Sequence, residues 1–189
     1  MKKNTKKIVT AAGIAAGTAA VASLSAYVTI KALIDTALDR EMPKVMEKAD
    51  KRISGEKSSD EFTNRMESAS ESLAVQPNET VEIIAHDGEK LVGHYFPCEK
   101  PERVIIAFHG WRSSWHRDFG MISDFWYKNN CSVLYVEQRG QNNSSGEYMG
   151  FGLTERFDCL DWLNWEIERC GSDIPVYLAG VSMGATTVL

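Results

Sequence analysis

The sequence predicts an α/β fold in which a mostly parallel sheet carries helices on both faces. Strand-like apolar runs alternate with helical patterns over residues 103–189, and a predicted β-hairpin precedes them. Alternation of this kind is typical of parallel sheets that are covered by helices. The composition, with 43% hydrophobic and 25% charged residues, is that of an ordinary globular protein.

The sheet is expected to begin with an antiparallel hairpin. Residues 80–85 are rich in branched apolar side chains, which favour a strand. Asp87-Gly88 is a strong signal for a tight turn between two strands. Residues 90–96 are therefore expected to form the returning strand of the hairpin.

Three buried strands and two helices are predicted to follow the hairpin. The apolar run of residues 103–108 suits a strand that is buried on both faces of a parallel sheet. Comparable runs and helical periodicity predict a helix over 117–128, a strand over 132–136, a helix over 154–169 and a strand over 174–179. Gly171 suits the end of the second helix, and Pro175 suits the start of the last strand.

A motif for nucleophilic catalysis stands directly after the last strand. Gly180-Val181-Ser182-Met183-Gly184 has the pattern G-x-S-x-G and precedes a predicted helix start. In this context the serine lies on a tight strand-to-helix turn, and the flanking glycines avoid collisions with the neighbouring strand and helix. The hydroxyl is then exposed at the carboxyl end of the strand, so we predict that Ser182 is a catalytic nucleophile.

A second motif, His109-Gly110-Trp111, ends the first buried parallel strand. Its loop is expected to face the serine turn and to offer a backbone N–H to a developing oxyanion. We therefore predict that the N–H groups of Trp111 and Met183 form the oxyanion hole. The residues predicted to support this site are Gly180, Gly184, His109 and Gly110. For His109, bonds to nearby loop backbone are favoured over a role as the catalytic base.

The other histidines fit the site less well. His116 is either a substrate contact or, as we prefer, a residue of a helix start. His86 and His94 belong to the hairpin, which is expected to lie far from the serine. Residues 137–146 follow the second parallel strand, and we interpret them as a scaffold loop whose backbone is tied by Glu137 and Arg139.

These motifs together resemble the α/β-hydrolase superfamily, and more closely its bacterial serine-aminopeptidase-like and monoacylglycerol-lipase-like branch, often found tethered to membranes. The resemblance covers residues 79–189 and is carried by segments 86–97, 109–114, 137–146 and 180–184. It implies a serine hydrolase that cleaves an ester or amide bond through an acyl-enzyme and needs no metal or organic cofactor. The family pattern D-x-R-G-H-G-x-S-x-G has Glu137, Gln141 and Asn142 here in place of Asp, His and Gly.

The sequence departs from this family after the serine. The resemblance implies the catalytic order Ser, then Asp or Glu, then His, yet residues 183–189 contain neither an acid nor a histidine. We therefore expect residues 78–189 to be an incomplete α/β-hydrolase domain, and this chain by itself to be poorly folded or inactive. The alternative is a non-catalytic, membrane-tethered module that kept the fold.

The N-terminal residues predict a membrane segment. A cluster of lysines precedes the uncharged run 8–30, which is long enough to cross a bilayer as a helix of ~20 residues. It is either a retained signal anchor, with the globular domain outside the cytoplasm, or a signal peptide cleaved near Ala20-Val21-Ala22 to release a secreted protein. Residues 31–77 are strongly charged and suit a stalk or linker, or in part a helix packed on the domain edge.

Composition argues against other classes of partner. The net charge of −5 and the lack of a basic stripe argue against nucleic acid as a partner. The resemblance implies a small-molecule or peptide substrate with an acyl group. The cysteines have no C-x-x-C pair and no histidine at metal-ligand spacing, so they are interpreted as small buried residues. Four aromatic residues either line an apolar acyl pocket or, as helical spacing favours, belong to the core: Trp111, Trp115, Phe119 and Trp126.

Overall fold

The computed structural model describes residues 23–41 and 61–189. The chain forms two compact units that divide between Asp39 and Arg40. In the first unit, residues 23–38 are helical. Within 23–41 and 61–189, no helix combines the length and the apolar character that a membrane crossing needs. The first part of the predicted segment 8–30 lies outside the described residues, so the expected apolar N-terminal helix is not seen.

Between residues 61 and 189, the second unit has five strands and four helices. In chain order these are α1 (Glu61–Ala74), β1 (Glu79–Ile84), β2 (Lys90–Phe96), β3 (Arg103–Phe108), α2 (Trp115–Lys128), β4 (Cys131–Glu137), α3 (Glu155–Cys170), β5 (Val176–Gly180) and α4 (Met183–Thr187). Each strand and helix predicted between residues 80 and 179 is present, with ends shifted by a residue or two. The hydrophobic patterns after residue 79 were therefore sufficient to assign the elements.

The sheet is mixed rather than mostly parallel, which corrects the prediction from the sequence. Its strand order is β1-β2-β4-β3-β5. The strand β3 pairs in parallel with both β4 and β5. The pairs β1–β2 and β2–β4 are antiparallel, because the second strand of the hairpin joins the edge of the parallel strands.

Helices cover both faces of the sheet, as predicted. On one face, Trp162 of α3 belongs to a buried cluster with Leu134 of β4. On the other face, Leu73 of α1 and Phe119 of α2 belong to a second buried cluster with Tyr135. Because successive residues of a strand point to opposite faces, Leu134 and Tyr135 serve the two different cores.

The helix α1 forms part of the segment that the sequence assigned to a charged stalk. It crosses α2 closely at Gly120, where an added β-carbon would lie 2.7 Å from the backbone of Ala69 and Ser70. Only a glycine permits this approach. Residues 61–74 are therefore a helix packed on α2, and the remaining positions of the predicted stalk up to residue 60 lie largely outside the described residues.

Three of the four aromatic residues considered for an acyl pocket belong to the core. Trp115 and Phe119 are 6% and 3% exposed. Trp126 packs on the same cluster, with its ring centroid 6.1 Å from that of Tyr135. Their helical spacing thus reflects the packing of α2 on the sheet.

The register of the parallel strands brings the two predicted motifs to one edge of the sheet. Phe108, the last residue of β3, pairs with Gly180 of β5 and with Val136 of β4. The chain segments that begin at residues 109, 138 and 181 consequently leave the sheet side by side. This edge carries the candidate active site.

Candidate active site

Ser182 lies in the turn between β5 and α4. Its φ of 51° and ψ of −113° are rare for a residue with a side chain, and such strain persists only where the surroundings impose it. The turn is held by hydrogen bonds from Val181 N–H to the Phe108 carbonyl (3.1 Å) and from Gly184 N–H to the Val181 carbonyl (2.8 Å). Ser182 is exposed, and its hydroxyl makes no hydrogen bond with the residues that the structure describes.

The two glycines of the motif allow the chain to turn in a very small space. A β-carbon on Gly184 would collide with the carbonyl oxygen of Phe108 at the end of β3. A β-carbon on Gly180 would collide with the carbonyl oxygen of Gly184. Both positions therefore need glycine because of close backbone approach.

The loop after β3 passes directly beside the serine. A β-carbon placed on Gly110 would lie 3.5 Å from the β-carbon of Ser182 and 3.4 Å from the Val181 carbonyl oxygen. Trp111 follows at once, so its peptide group lies next to this turn. Met183 begins α4, and as the first helical residue its N–H has no carbonyl partner one turn earlier in the helix.

Asp118 fixes the conformation of this loop, and sequence reasoning missed it. Its Oδ2 accepts a hydrogen bond from Gly110 N–H (2.6 Å), and its Oδ1 accepts one from the Ser113 hydroxyl (2.7 Å). Asp118 lies in the first turn of α2. An acid in the first turn of the helix that follows H-G-W is the signal that would have identified it.

His109 is a neutral, fully engaged side chain. Its Nδ1 donates to the Gly110 carbonyl (2.8 Å), while its Nε2 accepts from Gln138 N–H and from the Asn142 amide, each at 3.2 Å. The residue is 0% exposed, and burial lowers the pKa of His109. Both ring nitrogens are thus committed to loop groups rather than to Ser182.

Gln138 connects the two halves of the site, and its role was also not predicted. Its side-chain N–H donates to the His109 carbonyl, and its Oε1 accepts from the Thr187 hydroxyl (2.6 Å) in α4. Gln138 is 2% exposed. A single buried amide therefore joins the loop after β3 to the helix that follows the serine.

The remaining histidines bond to other partners. His86 contacts Asp161 (3.1 Å), and His94 contacts Glu137 (2.8 Å). His116, in the first turn of α2, bonds to the hydroxyls of Ser70 and Ser114 at 2.9 and 3.0 Å. None of the chain's four histidines, all of which are described, bonds to Ser182.

Glu137 organises the scaffold loop from inside. Its carboxylate accepts hydrogen bonds from the backbone N–H (2.6 Å) and the amide (3.0 Å) of Asn143, and from His94. Burial opposes ionisation, but these donors outweigh it and lower the pKa of Glu137. As the sequence suggested, this glutamate ties the loop backbone.

Arg139 differs from the expectation, because its partners are two carboxylates rather than loop backbone. It pairs with Asp158 of α3 on one side and with Asp87 in the hairpin turn on the other. The guanidinium thereby links the hairpin to α3. Its hydrogen bond lowers the pKa of Asp87 from 3.8 to about 2.

The Asp87–Arg139 pair gives a testable dependence of stability on pH. A carboxyl whose pKa is lower in the folded state stabilises the fold above about pH 3.8, and this contribution is lost as the pH falls towards about 2. We expect Asp87→Asn to cost less than ~1 kcal/mol at neutral pH, because the side chain is 40% exposed and water screens the pair. Between about pH 4 and pH 2, the variant should lose less stability than the wild type.

Urea unfolding at neutral and acid pH measures this difference. Glu82→Gln is a suitable control, because Glu82 and Lys90 form an ion pair in which both side chains are well exposed. Equal acid sensitivity of Asp87→Asn and the wild type would contradict the assignment.

A loop from residue 150 to residue 154 completes the edge of the site. The buried carboxylate of Glu155 accepts hydrogen bonds from Gly150 N–H (2.5 Å) and Gly152 N–H (2.8 Å). The Thr186 hydroxyl of α4 donates to the Phe151 carbonyl (3.0 Å). The loop is thus fixed to the same short helix that follows Ser182.

Among the described residues, one group has potential metal ligands close together: His86, Asp158 and Asp161, with ligand atoms within 4.8 Å of one another. Asp158 is already paired with Arg139, and Asp161 accepts hydrogen bonds from both the backbone and the ring of His86. These acids are therefore committed to protein donors, and the group lies in the hairpin and α3 rather than in the serine turn.

This arrangement of strands and serine turn is the α/β-hydrolase fold. No family model and no curated protein matches the sequence. Among solved structures, the Pyrococcus furiosus esterase Pf2001 is similar at 26% identity and a TM-score of 0.54, over 62% of this chain and 46% of that protein. An α/β serine hydrolase without a lid from Xanthomonas campestris is similar at 18% identity and a TM-score of 0.52, over 60% of this chain and 55% of that protein. The chain thus spans about half the length of the solved structures it resembles.

Proposed function

We propose that Ser182 is the nucleophile of a serine hydrolase that cleaves ester or amide bonds. The observation that carries this proposal is the strained, exposed serine between two glycines that are packed against the end of β3. Strain of this kind is costly to keep without a use, and it is concentrated at functional sites. The similarity to an esterase at 26% identity favours an ester over an amide as the substrate.

The proposed reaction proceeds through an acyl-enzyme. The Ser182 oxygen attacks the carbonyl carbon and loses its proton to a general base, while the N–H groups of Trp111 and Met183 donate to the oxyanion. The bond to the leaving alcohol or amine then breaks, and this leaving group takes up the proton from the general base. Water attacks the acyl-serine in the same way and releases the acid, which restores the Ser182 hydroxyl.

The general base is a group other than the four histidines at 86, 94, 109 and 116. Both ring nitrogens of His109 are hydrogen-bonded to backbone groups of the neighbouring loops. The lack of a hydrogen bond between any of these four histidines and Ser182 favours the alternative function, a non-catalytic module. An unassisted serine reacts slowly, so the two functions differ in the reactivity of Ser182.

Labelling with a fluorophosphonate probe tests the proposal. Protein made from the complete coding sequence is expected to be modified at Ser182, as mapped by mass spectrometry of its peptides. Ser182→Ala is expected to remain unlabelled. A folded wild-type protein without label at Ser182 would overturn the hydrolase proposal and favour the non-catalytic module.

We also propose that residues 8–30 attach the protein to a membrane, with the globular domain outside the cytoplasm. Supporting this, the apolar side chains of Leu24, Tyr27 and Val28 are 65%, 64% and 56% exposed. Transfer of such apolar surface from water into a bilayer lowers the free energy of the protein.

The full chain is expected in the membrane fraction, from which detergent but not high salt should release it. Deletion of residues 1–30 should make the protein soluble. Recovery of the intact chain in the soluble fraction would contradict the anchor, and a mature N-terminus just after Ala22 would indicate the secreted alternative.

A further inference from the structure

Phe151 is an exposed aromatic residue in an unfavourable backbone conformation. Its φ is +51°, in the left-handed region that bulky residues seldom adopt. Its side chain is 41% exposed and belongs to neither of the two buried clusters. Backbone strain at an aromatic residue outside these clusters indicates a role beyond packing of the core.

The surrounding loop holds Phe151 in this conformation from both sides. Gly150 and Gly152 each donate a backbone hydrogen bond to the Glu155 carboxylate, and Glu155 is only 1% exposed. A β-carbon on Gly152 would lie 2.6 Å from the Thr186 carbonyl oxygen, so the loop is packed directly on α4. The position of Phe151 is thereby coupled to the helix that begins after Ser182.

The ring of Phe151 lies beside Trp111, the residue whose N–H is the proposed oxyanion donor. The two ring centroids are 6.4 Å apart, with an angle of 35° between the planes. A β-carbon placed on Gly110, the residue before Trp111, would lie 3.5 Å from the β-carbon of Ser182. The chain therefore enters Trp111 directly beside the serine turn, and the ring of Phe151 lies beside the Trp111 indole.

We infer that Trp111 and Phe151 form the wall against which an apolar acyl group of the substrate lies. This inference rests on the proposed function and names its substrate class as esters of medium-chain or aromatic acids. We assign the wall to the acyl group rather than to the leaving alcohol, and esters that differ only in the acyl chain test this assignment. Rigid aromatic rings suit such a wall, because they present apolar area and lose little conformational entropy.

Phe151→Asn tests the inference without adding backbone strain, because asparagine tolerates a positive φ. With p-nitrophenyl esters as probes, the ratio of kcat/KM for the octanoate to kcat/KM for the acetate is expected to fall at least ~10-fold. Phe157→Ala is the matched control. Phe157 is also 41% exposed, but its ring packs on His86, away from the serine turn.

The outcomes separate this inference from the proposed function. An equal change for acetate and octanoate, or the same selective loss in Phe157→Ala, would overturn the acyl wall. If Phe151→Asn still shows fluorophosphonate labelling at Ser182, the hydrolase proposal stands by itself. Failure of labelling in the wild type would instead remove the proposed function, on which the inference depends.

Discussion

Replacing Ser182 by glycine is expected to give a protein that is inactive yet more stable than the wild type. The φ of 51° and ψ of −113° strain any residue with a β-carbon, and glycine adopts positive φ readily. Relief of this strain should raise the free energy of unfolding by about 1 kcal/mol. Loss of the nucleophile should lower kcat/KM for ester hydrolysis by ~10³-fold or more.

The matched control for this prediction is Ser182→Ala. Alanine also lacks the hydroxyl, so it should be equally inactive, but it keeps the β-carbon and should gain no stability. Urea unfolding and hydrolysis of a p-nitrophenyl ester, both on protein from the complete coding sequence, measure the two effects. A glycine variant no more stable than the alanine variant would show that the turn is not strained.

The second large effect is expected for Gly184→Ala. In an ordinary helix this change stabilises a protein by up to ~1 kcal/mol. Here the new β-carbon would collide with the Phe108 carbonyl oxygen at the end of β3, so α4 must move away from the sheet. We expect a loss of about 3 kcal/mol or more in the free energy of unfolding, together with loss of labelling at Ser182.

Gly88→Ala provides the comparison for Gly184→Ala. Gly88 has a φ of +93°, and a β-carbon added to it would have no neighbouring atom within 4 Å. Alanine at this position therefore strains the backbone but collides with nothing. Its expected cost is about 1 kcal/mol. If both glycine variants unfolded at the same urea concentration, close packing at Gly184 would not be the cause of its effect.

The strands and helices of the second unit were predictable because each is encoded locally. The apolar run of residues 103–108 indicated a strand buried on both faces, and β3 occupies those residues. The pairing of β2 with β4 was not predictable, because it depends on contacts between segments far apart in the chain. For that reason the sheet was expected to be mostly parallel.

The same distinction applies to the site. The serine turn and the loop after β3 could be recognised from short motifs with a steric cause. Asp118 could have been singled out by its place in the first turn of the helix after H-G-W, but its bond to Gly110 N–H is visible only in the folded chain. Gln138 could not be assigned a role, because it acts through hydrogen bonds that only the folded backbone creates. Arg139 was given loop backbone as its partner, since nothing in the sequence indicates that Asp87 and Asp158 approach it from two other elements.

The buried amide of Gln138 has a consequence for how the site comes into existence during folding. It bonds to His109, 29 residues earlier, and to Thr187, 49 residues later, so both bonds are present only when three distant segments have met. Contacts of such separation form late, since loop-closure entropy must first be overcome. The geometry around Ser182 is thus a property of the assembled sheet, and the rate at which Ser182 reacts with a probe should report when assembly is complete.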